Sequence, residues 1–339
     1  MRALVFHGPG SIAVEERPDP APGPGEVLLE IIATGICGSD VHGFTGDNGR
    51  RHPNQVMGHE TVARVRGGDL AAGMSVGDVV TVNPVIGCEH CPTCAAGEEQ
   101  ACPKRRVIGV DPAISSAFAD LMVVPTRNVV PLPAGVPEEH GALVEPLAVG
   151  FHAARRGRCS SADAVLVLGG GPIGQACVLA AQRLGAERIV VSEPDRQRAA
   201  LVAALGARLV TPSTVGTEVE QFLGAEPTLV LDAVGSSATL TAALTVAARA
   251  ARVVLVGMNE PTVTLPAYEV STSERELIGA FCYNREDFAS TAAWIAEAGT
   301  LLDPLINSRV GWSGAPGAFR DLAAGTAHAS KILVLPAKS

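Results

Sequence analysis

Eight cysteines are spread through the chain, and four of them, Cys88, Cys91, Cys94 and Cys102, follow C-x2-C-x2-C-x7-C inside GCEHCPTCAAGEEQAC. Four thiolates in one short loop can close a tetrahedral zinc site, and a site with no open position is structural. An iron–sulfur cluster also takes four cysteines, but this spacing matches neither ferredoxin pattern. His90, inside the loop, reads as exposed rather than as a ligand. A second set is dispersed: Cys37 in TGICGSDVH, His59 in MGHE and Glu145 in ALVEPLAVG. Sulfur, imidazole and carboxylate are all acceptable donors for a catalytic zinc, which takes about three protein ligands and leaves a position open. Spacing alone does not join these three, and each taken singly reads as well as an ordinary core residue.

Gly169, Gly171 and Gly174 form G-x-G-x-x-G in GGGPIG, directly after the apolar run VLVL. The first glycine permits a tight turn and the second lets backbone approach a pyrophosphate. The third lets helix and strand pack closely, which puts phosphates at the helix N-terminus beside Pro172 and Ile173. Glu193, at the end of the next strand in RIVVSEP, can accept hydrogen bonds from ribose hydroxyls and would repel a 2′-phosphate. NAD is therefore expected over NADP. Asp195 is a rival for that role, and Arg196 and Arg198 follow closely enough to attract a phosphate.

These groups need elements to carry them. From Met1 to about Pro146 the text is short β-branched runs (ALVF, EVLLEII, TVARV, DVVTV, LMVVP) broken by glycine and proline, a β-rich pattern. From about Leu147 apolar strands alternate with Ala-rich helices, which implies right-handed crossovers and a parallel sheet covered on both faces. After about Asn284 a helix (DFASTAAWIAEAG) leads to the apolar run KILVLP, expected to return to the first domain as a strand. The expected fold is α/β: a β-rich catalytic domain of residues 1–146 and 284–339, and a doubly wound dinucleotide-binding domain of residues 147–283. The 339 residues carry a net charge of -9 and no Lys/Arg cluster, which argues against a nucleic-acid partner. The N-terminus has no signal-peptide pattern and no run is long enough to span a membrane, so a cytoplasmic location is expected. In that reducing setting cysteines read first as ligands or core residues.

GICGSDVH, GHE, GDVV, the four-cysteine loop, FADLMVVP, VEPLAVG, GGGPIG and SKILVLP occur in the order and near the spacing of one family. The chain resembles the zinc-containing, medium-chain alcohol dehydrogenase superfamily, whose β-rich domain is GroES-like and whose coenzyme domain is a Rossmann fold. ALVEPLAVGFHAARRG most resembles the branch of polyol (sorbitol), threonine and butanediol dehydrogenases. The resemblance implies a catalytic zinc on Cys37, His59 and either Glu60 or Glu145, a structural zinc on the cysteine loop, and NAD. It further implies that Asp40 orients His59 and that Ser39 and His42 relay a proton. Lys331 would lie near the active-site carboxylate and coenzyme. Homodimer or homotetramer assembly is implied through the strand near ELIGAF.

The activity implied is hydride transfer between a secondary alcohol (diol, polyol, cyclic or amino alcohol) and NAD, or the reverse ketone reduction. Polyol members tend to carry an arginine where this chain has Cys282, which weakens the sorbitol-type reading. Phe44, Phe118 and Tyr283 are candidates for a moderately apolar substrate pocket. The rivals are an NADP-dependent reductase of a specialised ketone and a zinc-binding fold without catalysis. A zinc-free reductase on the same fold would lack both GHE and the cysteine loop.

Overall fold

The computed structural model describes residues 1–47, 49–327 and 330–337. The chain divides into two compact units, Met1–Glu145 with Asn284–Ser339, and Pro146–Tyr283. No described helix is long and apolar enough to cross a membrane.

The first unit is organised by the strand Glu26–Gly35, EVLLEIIATG, whose side chains alternate between buried and half-buried. That period of two points Val27, Leu29, Ile31 and Ala33 inward, where the first three pack with Val65, Val80 and Met122. The strand pairs antiparallel with Glu60–Gly68, and the register sets Gly35 opposite Glu60. Cys37 therefore lies just beyond the end of one strand and His59 just before the start of its neighbour. Lys331–Val334, the KILV run, pairs antiparallel with Glu26–Gly35 and parallel with Ile306–Val310. It sets Leu333 opposite Gly35. Three segments far apart in sequence thus meet at one strand end.

The second unit is a six-stranded parallel sheet. Its order is Arg208–Val210, Arg188–Ser192, Ala164–Leu168, Leu229–Asp232, Arg252–Leu255 and Glu276–Gly279. The two central strands, Ala164–Leu168 and Leu229–Asp232, are buried at every residue, as a sheet covered on both faces requires. The strand order reverses direction beside Ala164–Leu168, and in such sheets ligands bind at the carboxyl ends of the strands flanking that point. The strand Arg208–Val210 and the helix Val215–Leu223 were not distinguished in the sequence reading. The strand is too short for a periodic signal. The helix begins in a Ser/Thr-rich stretch that reads as loop.

Candidate active site and metal centres

The cysteine loop is assembled by tight local turns. Cys91 is the N-cap of the one-turn helix Pro92–Ala95, and its Sγ accepts the Cys94 N–H at 3.4 Å. Cys102 Sγ accepts the Lys104 N–H at 3.4 Å. Such N–H donors stabilise thiolate: Cys91 is pulled down to about 6, led by the Cys94 N–H, while burial pushes Cys94 up to about 12. Gly87 has to be small, since a Cβ there would lie 2.8 Å from Cys94 Sγ. The four sulfurs lie within 4.8 Å of one another, with Cys88–Cys94 at 4.0 Å and Cys91–Cys102 at 3.8 Å. This donor set fits one tetrahedral zinc.

The second centre stands at the strand ends described above. Donor atoms of Cys37, His59 and Glu60 all lie within 4.8 Å of one another. Glu145, buried in the first turn of the helix Val144–Arg156, stands outside that group. Both Glu60 oxygens accept hydrogen bonds from Lys331 Nζ, at 2.7 and 2.6 Å, with both side chains buried. Gly35 makes the room, since a Cβ on it would sit 2.3 Å from Glu60 Oε2. Burial opposes the Lys331 charge, but Glu60, Cys37 and Glu145 outweigh it and raise the Lys331 pKa. The sequence reading gives Lys331 to the coenzyme as well as to the carboxylate. In the structure both its described ion-pair contacts go to Glu60.

The helix Gly38–Thr45 follows Cys37 directly and carries the remaining polar groups. Asp40 is fully buried; its Oδ2 accepts the Cys37 N–H at 3.2 Å and its Oδ1 stands 3.6 Å from His59 Nδ1. Asp40 Oδ1 and His59 Nδ1 are both buried without a hydrogen-bond partner among the described residues. Burial disfavours His59 cation, yet Asp40 and Cys37 raise its pKa well above the ordinary value. The same negative charge favours a metal cation at these donors, so the residues fit a zinc. Ser39 and His42 are one turn apart on this helix, Ser39 partly buried and His42 about half exposed. His42 Nδ1 lies 3.8 Å from Asp47.

Two of the three motif glycines are required on steric grounds. Gly169 has φ +92°, and a Cβ on Gly174 would lie 1.8 Å from the Gly169 carbonyl oxygen. Around Gly171 an added Cβ would meet nothing within 4 Å, leaving that backbone open. Gly171 is the N-cap of the helix Pro172–Arg183 with no side-chain cap, so its N-terminal N–H groups are available to phosphate. Glu193 accepts the Gly170 N–H at 2.7 Å and the Asp195 N–H at 2.8 Å. A carboxylate so held has lone pairs to spare for a ribose. Asp195, the rival, caps the next helix instead, accepting the N–H groups of Gln197 and Arg198 at 3.0 and 2.9 Å.

The aromatic pocket candidates fare differently. Phe44 and Phe118 are buried around Phe319, with ring centroids 5.7 and 5.6 Å from it, in a cluster with Leu4, Met57 and Trp312. They are core residues, and assigning them to a pocket is corrected. Phe is the same apolar surface in either setting, so its type carried no warning. Tyr283 is fully buried, and Cys282 before it has φ +49°. Sequence reading missed Arg51, whose side chain is only 2% exposed and lies 3.5 Å from Asp40. An arginine amid GDNGRRHP reads as a surface loop charge.

A GroES-like β-rich unit with two clustered donor sets, followed by a doubly wound sheet with an open glycine turn, defines a zinc- and nicotinamide-dependent dehydrogenase. Residues 23–134 match the family Alcohol dehydrogenase GroES-like domain, and residues 172–297 match Zinc-binding dehydrogenase. A 2-dehydro-3-deoxy-L-galactonate 5-dehydrogenase from Pseudoalteromonas atlantica is 35% identical, over 91% of each chain. A sorbitol dehydrogenase from Macaca fascicularis is 33% identical over 91% of this chain and 88% of its own. Galactitol-1-phosphate dehydrogenase from Escherichia coli superimposes with a TM-score of 0.90 at 26% identity, over 99% of this chain and 100% of its own. The chain belongs to the zinc-containing medium-chain dehydrogenase/reductase superfamily, in its sorbitol dehydrogenase-like branch. It is a zinc-dependent oxidoreductase of the alcohol and polyol dehydrogenase family, with NAD(P) as its coenzyme.

Proposed function

We propose that Cys37, His59 and Glu60 hold the catalytic zinc and that Ser39 and His42 carry the substrate proton to solvent. The observation that carries this is the convergence of three donor atoms within 4.8 Å beside a buried lysine that can release one Glu60 oxygen. Bound there, zinc supplies Lewis-acid polarisation of an alcohol hydroxyl, and NAD accepts the hydride. The chain's own part is orientation and proton handling. Asp40 turns the His59 ring through its Nδ1 face, as metal-binding imidazoles require. Ser39 and His42, spaced at i and i+3, share one face of their helix, and the exposure of His42 gives a proton an exit. Glu145 supports Lys331 by its charge rather than as a ligand. Glu193 and the Gly169, Gly171 and Gly174 turn, with Pro172 and Ile173 opening the helix, bind the adenosine end of NAD. Arg198, in the first turn of the helix Arg196–Ala204 that follows Glu193, is a further candidate contact to the coenzyme.

The substrate class is a polyol or sugar acid with a secondary hydroxyl, supported by the galactonate and sorbitol activities named for the two relatives. Cys282 in place of the branch's arginine favours a less hydroxylated member. The reading is completed by a homodimer formed along the strand Glu276–Gly279, a sheet edge with Leu277 exposed and Tyr268 exposed nearby. A cytoplasmic location is supported by the use of cysteines as metal donors, five of the eight lying in the two donor clusters. The deciding experiment is Cys37→Ser with zinc counted per chain. Wild type is expected to hold two zincs, and the variant one, with NADH still bound and turnover of a sugar-acid or polyol panel abolished. Turnover near wild type would overturn the ligand assignment.

A further inference from the structure

Arg51 is a buried group beside the second centre that neither the resemblance nor the ligand set accounts for. Its side chain is almost entirely out of water, and its Nη2 lies 3.5 Å from Asp40 Oδ1 and 3.5 Å from the Ser39 carbonyl oxygen. Its Nε is buried without a hydrogen-bond partner among the described residues. The same Asp40 oxygen stands 3.6 Å from His59 Nδ1. One carboxylate oxygen thus lies between a guanidinium and a zinc-ligand imidazole.

The stem of Arg51 reaches this place by crossing the helix Gly38–Thr45 at Gly43. A Cβ on Gly43 would lie 2.5 Å from Arg51 Cγ, 3.0 Å from Nε and 3.3 Å from Cδ. Asp40 and Gly43 are one turn apart, so they present the same helix face. The glycine is the slot through which the arginine is laid along that face. Burying a guanidinium is costly unless its charge is matched, and the charge matched here is Asp40.

Resting on the zinc site proposed above, we infer that Arg51 is a positioning residue: it fixes Asp40 so that Asp40 can hold the His59 ring in its metal-binding orientation. Asp40 accepts a hydrogen bond from the Cys37 N–H on Oδ2, and His59 and Arg51 flank its Oδ1 at 3.6 and 3.5 Å. Without Arg51 a buried carboxylate loses the one permanent cation beside it among the described residues and swings toward other donors, which loosens His59. Losing such an outer partner typically costs about 10- to 100-fold in metal affinity.

The test uses the zinc-loaded enzyme and follows the release of each zinc to a chelator. Arg51→Met, which keeps length and loses charge, is expected to release the catalytic zinc at least about 10-fold faster than wild type. Zinc in the cysteine loop should leave at the wild-type rate and reports that the unit is folded. Arg51→Lys should recover most of the retention, because it restores the cation. Gly43→Ala should also speed release, since it displaces the arginine without altering any charge. With cobalt in the catalytic position, Arg51→Met and Gly43→Ala should shift the visible absorption and Arg51→Lys should shift it less. Equal release rates in wild type, Arg51→Met and Gly43→Ala overturn the role of Arg51 alone. A wild type that holds only the cysteine-loop zinc overturns the site itself. If Arg51→Met loses both zincs together, Gly43→Ala decides: fast release from the catalytic position alone supports the inference, and wild-type release refutes it.

Discussion

Lys331 and Glu60 form a buried ion pair whose partners are each other's main compensation. Removing one leaves the other charged and without water, a loss of about 3–5 kcal/mol in comparable pairs. Lys331→Met is therefore expected to lower stability to denaturant by that order, and adding Glu60→Gln to recover much of it. The pH dependence has a definite sign. The Lys331 pKa is raised above 10.5, so the stabilisation from this lysine is complete below that value and disappears as pH rises through the higher folded-state value. A denaturation midpoint that drops by the same amount for wild type and Lys331→Met on passing above pH 10.5 would contradict this. None of this pairing could be read from spacing, because 271 residues separate the partners. The four-cysteine loop was legible for the opposite reason: its ligands are local, so their spacing is their geometry. Phe44 and Phe118 were misread because residue type does not tell a cavity wall from a core.

Elements were legible where their period was strong and their punctuation specific. EVLLEII and AVLVL each read as a strand, and both are strands, the first alternating in burial over most of its length and the second buried throughout. The glycine turn was legible because Gly169 sits at a positive φ and Gly174 has no room for a Cβ. Gly174→Ala would place a Cβ 1.8 Å from the Gly169 carbonyl oxygen, an overlap that backbone alone can relieve by opening the turn. NADH affinity is expected to fall by at least about 10-fold, which is 1.4 kcal/mol, while zinc content stays at the wild-type value. A fluorescence titration of NADH alongside metal analysis checks both. Capping roles were less visible: Asp195, the rival to Glu193 for the ribose, also accepts the N–H groups of Gln197 and Arg198 as a helix cap.

For the whole molecule, the strand Glu276–Gly279 ends its sheet with a neighbour on one side only. An open edge with an exposed apolar residue invites pairing with a second copy. Leu277→Lys would set like charges near each other across a two-fold axis and is expected to shift the protein to monomer in sedimentation velocity, with its melting transition otherwise cooperative. An unchanged sedimentation coefficient would overturn the proposed dimer along this edge.

The strand Lys331–Val334 has a consequence for how the enzyme comes into being. Glu60 emerges from the ribosome early and Lys331 late, and the whole dinucleotide-binding unit is made between them. Segments fold broadly in order of synthesis, so that unit can acquire its sheet while Glu60 still lacks its cation. The donor cluster at Glu60 is then among the last parts to close, and an interrupted chain yields a dinucleotide-binding fold without the lysine that pairs with Glu60.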